Sequence, residues 1–82
     1  LGYQDRKEHQ VRRAPHASRE AKLVRLADKI CNLRDMAGNP PRDWTLARRR
    51  EYFDWADRVV AGLRGVHPAL ESIYDEASSR RP

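Results

Sequence analysis

Glycine and proline cluster at three places in this 82-residue chain and cut it into helix-length pieces. A first helical piece, roughly Asp5–Arg13, ends near Ala14-Pro15, because a proline disfavours helical backbone in the residue before it. Ser18 is placed to N-cap a second helix that runs to about Ala37 and stops at Gly38-Asn39-Pro40-Pro41. Asp43 or Thr45 can cap a third, which carries Leu46, Phe53, Ala56, Val60 and Leu63 on one stripe and ends at Gly65. His67-Pro68 opens a short fourth helix with proline at a permitted first-turn position, and the polar tail 77–82 is expected to fray. No run alternates with period two, so the expected fold class is all-α with about four helices.

A chain of this size buries proportionally little surface, so its independent stability is expected to be marginal. It starts at Leu1 rather than Met and shows no start-of-domain signal, which reads as part of something larger. Seventeen Lys and Arg against twelve Asp and Glu give a formal charge of +5. Such a balance admits nucleic acid, an acidic membrane surface or a phosphate-rich small molecule as partner. The bases are interleaved with acids, and even Arg48-Arg49-Arg50 is followed at once by Glu51, which favours a solvated helix surface and disfavours a nucleic-acid groove. One cysteine, Cys31, excludes an internal disulfide and fits a reducing, cytoplasmic setting; without a Cys or His at ligand spacing it reads as a packed thiol. No apolar run is long enough for a membrane span or a signal-peptide core.

Within the second helix, Asp28 and Asn32 are four residues apart and therefore share a face. On a wheel of 100° per residue, Leu23, Leu26, Ala27, Ile30 and Leu33 form the apolar arc, and Arg25, Asp28, Asn32 and Asp35 form a stripe beside it. A carboxylate at the border of a core needs a partner, and a bound cation is one. Two readings stay open at this stage: a ligand site in a cleft between helices, or a surface helix with an Arg25–Asp28 pair. Arg34 falls within the apolar arc and is expected to snorkel or to form a structural ion pair with an acid of a larger domain. In the third helix Arg48 and Tyr52 are four apart, a guanidinium fork and a phenol that suit phosphate oxygens; Phe53 and Trp55 read as core.

These residues carry a resemblance. The run Ala21–Met36, with its Leu-Ala-Asp-x-x-x-Asn-x-Arg centre, followed by Trp44 and by Glu-Tyr-Phe-Asp-Trp-Ala from Glu51, resembles the C-terminal half of small HD-domain hydrolases of the RelA/SpoT type. The resemblance extends from about Arg6 to about Ile73. It implies an HD-domain-like helical bundle, here only its C-terminal helices. The implied activity is removal of the 3′-pyrophosphate from (p)ppGpp, the alarmone of the stringent response. On the same resemblance Asp28 matches a carboxylate ligand of a divalent metal, usually manganese. Asn32 matches a nucleotide contact, and Arg48 and Tyr52 match residues lining the substrate pocket. No catalytic residue is assigned within this chain.

The chain departs from the family at its defining dipeptide. His9 is followed by Gln10, His16 by Ala17 and His67 by Pro68, so no His-Asp pair is present. Asp28 alone would hold a cation weakly, and Mn²⁺ is expected only where upstream ligands are supplied. His16 is the one histidine near enough in sequence to raise the question of a rebuilt site; His9 reads as solvated and His67 as part of a turn. The expectation is therefore part of a metal-dependent pyrophosphohydrolase acting on guanosine tetra- or pentaphosphate or a related nucleotide, inactive alone. The alternative is a non-catalytic helical module that packs against a partner. On the fragment reading, an apolar arc of the second or third helix should stay exposed and invite the missing N-terminal half or a second copy.

Overall fold

Capping chemistry sets where three of the helices begin. The computed structural model of the protein describes residues 2–82 and contains helix α1 (Tyr3–Arg13), a short 3-10 helix (Ala14–His16), α2 (Arg19–Gly38), α3 (Leu46–Ala61) and α4 (Pro68–Ser78), with no strand among the described residues. Ser18 Oγ accepts the Ala21 amide at 3.1 Å and Thr45 Oγ1 accepts the Arg48 amide at 3.1 Å, each satisfying one of the orphan donors of a first turn. Thr45, not Asp43, is thus the cap of α3. His67 caps α4 through its side chain, with Nδ1 accepting the Leu70 amide at 3.1 Å, and Pro68 takes the first helical position. Helix α3 stops at Ala61, before Gly65, because residues 62–65 form turns and Gly65 sits at φ +96°, a conformation that glycine enters without penalty.

The core is built from one face of each of α2, α3 and α4. Leu26, Leu33, Phe53, Val60, Leu63 and Tyr74 are fully buried, joined by Ile30, Ala56 and Ala77. Burying each large apolar side chain stabilises the fold by about 1.5–3 kcal/mol, and this face carries most of that gain. The 3-10 helix adds Ala14 and presses Pro15 onto the end of α3. A Cβ at Gly62 would stand 2.7 Å from Pro15 Cδ and 2.9 Å from the Pro15 nitrogen, so only glycine allows this approach. Tyr74 donates to Asp57 Oδ1 at 2.6 Å, and Ser78 donates to the same oxygen at 2.8 Å, which locks α4 to α3. Of the tail 77–82, Ala77 and Ser78 lie inside α4, and Arg81 pairs with Asp54 at 2.9 Å.

Helix α2 is turned relative to the expected arc. Its buried residues are Leu26, Lys29, Ile30, Leu33 and Met36, so burial is centred on the Leu26/Leu33 side and extends toward Lys29 and Met36. Ala27, placed in the apolar arc by the wheel, is exposed, and Leu23 is only half-buried. Cys31 is exposed rather than a packed thiol, and Arg34 is exposed and forms no ion pair among the described residues. Leu46, expected on the stripe of α3, is exposed at its first turn. The physical reason is that α4, packing on α2, selects which part of a broad apolar sector is covered; the wheel shows the sector but not the neighbour. The backbone extends over 35 × 32 × 14 Å, a flattened shape two helix layers deep, and Val24 stays 70% exposed on α2.

Candidate functional site

Asp28 and Asn32 project from one face of α2, and their side chains are joined. Asn32 Nδ2 donates to Asp28 Oδ2 at 3.1 Å, and Lys29 Nζ lies 3.5 Å from the same oxygen. The Asp28 carboxylate is more than half exposed, so the cost of burying it is smaller than its position beside the core implied. Its cationic partner is Lys29, and the Arg25–Asp28 pair does not form among the described residues. Arg25 instead lines a cleft of about 210 Å³ together with Asp28, Lys29, His9, Gln10 and Arg13. The histidine that shares a cleft with Asp28 is therefore His9 of α1, while His16 ends the 3-10 helix.

Tyr52 stands on α3 opposite this face. It lines a second cleft, of about 240 Å³, with Asn32, Asp35, Met36, Asn39 and Pro41. Burial pushes its phenol above the usual value; the Asn32 side chain pulls the other way and the Asp28 charge adds to the rise. The hydroxyl thus stays protonated, and a hydrogen-bond donor, throughout the neutral range. Asp28, Asn32 and Tyr52 form one continuous neighbourhood. Arg48 lies to its side: its guanidinium stacks on Trp44 at 3.9 Å and opens on a further cleft with Tyr3, Gln4, Lys7 and Thr45. Trp44 makes an edge contact with Tyr52, ring centroids 6.0 Å apart, and so connects the two clefts.

The aromatic row continues to Trp55, 5.5 Å from Tyr52, and cations sit on its rings. Lys7 lies 4.8 Å from the Trp55 centroid and 4.7 Å from that of Tyr3, and Lys29 lies 4.4 Å from that of Trp55. Trp55 Nε1 donates to the Lys7 carbonyl at 3.2 Å, tying α1 to α3. Contact with Lys7, chiefly a hydrogen bond, holds the Tyr3 phenol below its ordinary value. Burial lowers the Lys29 ammonium from its usual range, and Asp28 partly offsets that shift. Sequence reasoning placed Trp55 in the core and passed over Lys7 and Lys29. The available signal was that Lys29 follows Asp28 on the side of the wheel shared by Leu26, Leu33 and Met36.

No cluster of three or more His, Cys, Asp or Glu side chains among the described residues could hold a metal ion. The donor set of this chain does not by itself fit a divalent cation: Asp28 supplies a single carboxylate, and its near neighbours are an amide and an ammonium.

This fold has counterparts among known proteins. No protein-family model matches the chain. Curated relatives do, all described as guanosine-3′,5′-bis(diphosphate) 3′-pyrophosphohydrolase MESH1. The Homo sapiens protein is 52% identical over 77 residues, covering 94% of this chain and 43% of the relative. The Danio rerio protein is 52% identical over 67 residues, covering 82% and 37%, and the Drosophila melanogaster protein is 47% identical over 81 residues, covering 99% and 45%. A solved structure, described as a metazoan ortholog of SpoT that hydrolyzes ppGpp and plays a role in starvation responses, superposes with a TM-score of 0.92 at 47% identity, covering 99% of this chain and 46% of that one. Sequence and fold together place the chain with the HD-domain ppGpp hydrolases, partial in extent. It spans about two fifths of the length of the curated relatives it matches.

Proposed function

We propose that this chain is the C-terminal part of a (p)ppGpp 3′-pyrophosphohydrolase domain, and that Asp28, Asn32, Tyr52 and Arg48 are its contribution to the nucleotide site. The observation that carries this reading is the continuous Asp28–Asn32–Tyr52 neighbourhood on a fold that matches a ppGpp-hydrolysing structure at a TM-score of 0.92. Asn32 spends its amide N–H on Asp28 and keeps its carbonyl oxygen as an acceptor for a base or hydroxyl. Tyr52 supplies a neutral donor, and Arg48, backed by Trp44, supplies charge-assisted bonds to phosphate oxygens. Lys7 and Arg25 border the same clefts and would offset substrate charge.

Manganese belongs to this reading only when a further segment brings the remaining ligands; Asp28 would be one of them. Among the described residues no helix is long and apolar enough to cross a membrane, and the exposed Cys31 thiol suits a reducing, cytoplasmic compartment.

The partner proposed for the open side is the rest of such a hydrolase domain. A solved structure more than twice as long contains this fold, and α2 turns Val24, Ala27 and Cys31 outward. The test is pyrophosphate release from ppGpp with Mn²⁺, measured for the chain alone and for the chain supplied with the N-terminal segment of a MESH1 relative. Activity is expected only in the second case. Activity in neither case, with the two parts bound to each other, would favour the non-catalytic module instead. A self-associating chain that ignores the supplied segment would assign the α2 face to a second copy.

A further inference from the structure

Lys29 is the one charged residue buried among the described residues, at 7% exposure, and neither the core nor the nucleotide contacts proposed above account for it. Neighbours at i and i+1 on a helix do not face each other, yet the Lys29 ammonium reaches back to Asp28. Its seat explains how. The ammonium rests on the Trp55 indole at 4.4 Å, and that indole is fixed in turn by its bond to the Lys7 carbonyl. A desolvated ammonium is attracted to an indole face, which helps offset the cost of removing it from water.

We propose that Lys29 is a positioning residue for Asp28: from its seat on Trp55 it joins Asn32 on one carboxylate oxygen, Oδ2, and leaves Oδ1 free to meet a ligand. Both protein contacts converge on Oδ2, and Oδ1 has no hydrogen-bond partner among the described residues. A carboxylate on a helix surface normally samples several rotamers. Two donors on one oxygen select a single rotamer and hence one direction for the other oxygen. The same contact places a positive charge beside the Asp28 carboxylate. The inference rests on reading Asp28 as a site residue. Its test reads the rotamer itself and is therefore independent of hydrolysis.

The experiment is measurement of the Asp28 χ1 couplings by NMR on the full chain and on Lys29→Met, Lys29→Gln and Lys29→Arg. The unsubstituted chain should show one large and one small Hα–Hβ coupling, the signature of a single rotamer, together with contacts between the Lys29 methylenes and the indole of Trp55. Met and Gln should move the two couplings toward equal, averaged values, and Arg, which can stack and still reach Asp28, should restore the unequal pair. Unequal couplings that persist in a folded Met or Gln variant would overturn the proposal. Averaged couplings in the unsubstituted chain would overturn it without recourse to any variant. A completed domain whose hydrolysis survives Asp28→Asn would refute the role of Asp28 and leave these couplings unchanged.

Discussion

Helices α2 and α4 are held by area, whereas α1 is held by points. On the first side Leu26, Leu33 and Tyr74 are wholly removed from water, and α4 packs directly on α2. On the second, α1 contributes no buried residue, and half-buried Val11 is its one apolar contact with the core. It is attached by the Trp55–Lys7 bond, by Lys7 over the aromatic rings, and by Arg58, whose guanidinium grips Glu8 at 2.5 and 2.9 Å in an exposed pair. Apolar area is non-directional and additive, so it fixes the fold; point contacts are directional and compete with water and ligands. The clefts lined by α1, including the one it shares with Asp28, lie on the weakly held side. Binding surfaces are commonly drawn from such low-stability elements.

The comparison breaks first at the core. Phe53→Ala empties a fully buried ring from the centre of α3 and should cost about 3–5 kcal/mol, enough to unfold a chain of this size; thermal denaturation followed by circular dichroism measures it.

Tyr74→Phe tests whether the area-held side also depends on its one buried hydroxyl. Removing the bond to Asp57 should cost about 1–2 kcal/mol at neutral pH. Burial, and then the Asp57 carboxylate, raise the Tyr74 pKa well above its ordinary value of about 10. The stabilisation is therefore fully present below pH 10. Above it, the unfolded chain loses the Tyr74 proton while the folded chain keeps it, and stability falls as pH rises. Denaturation midpoints of the unsubstituted chain should drop more steeply above pH 10 than those of Tyr74→Phe. Parallel slopes would show that this hydroxyl is not coupled to folding.

The weakest effect belongs to the point-held side. Trp55→Phe keeps a ring beneath Lys7 and Lys29 but deletes the bond to the Lys7 carbonyl, worth about 1 kcal/mol. Amide exchange in α1 should accelerate about five-fold while α2 and α4 keep their protection. Uniform acceleration through all four helices would mean that α1 belongs to the same cooperative unit as the core.

The same contrast decides what could be read from sequence. Helix number, the Ser18, Thr45 and His67-Pro68 starts, and the stripe through Phe53, Ala56, Val60 and Leu63 follow from local chemistry and periodicity, and the structure carries them. The exposure of Ala27, Cys31 and Arg34 was hidden because the apolar sector of α2 is wider than the surface α4 covers. The Asp28–Asn32 bond was legible as an i, i+4 pair. The partner of Asp28 was not: Lys29 reaches back to it only because Trp55, twenty-six residues further on, supplies the seat. Cation–aromatic contacts between helices have no period in sequence, so the seating of Lys7 on Trp55 emerges only once α1 and α3 are packed together.

The most direct test of the central claim is Asp28→Asn in the chain completed with the N-terminal segment of a MESH1 relative, assayed for pyrophosphate release from ppGpp and, in parallel, for its melting temperature. Asp28 is exposed and outside the apolar core, so the substitution should lower the melting temperature only by what its contact with the buried Lys29 contributes, leaving the domain folded, while abolishing hydrolysis. A completed domain that hydrolyses ppGpp equally well with and without the Asp28→Asn substitution would contradict the assignment of this face as the chemical side of the molecule.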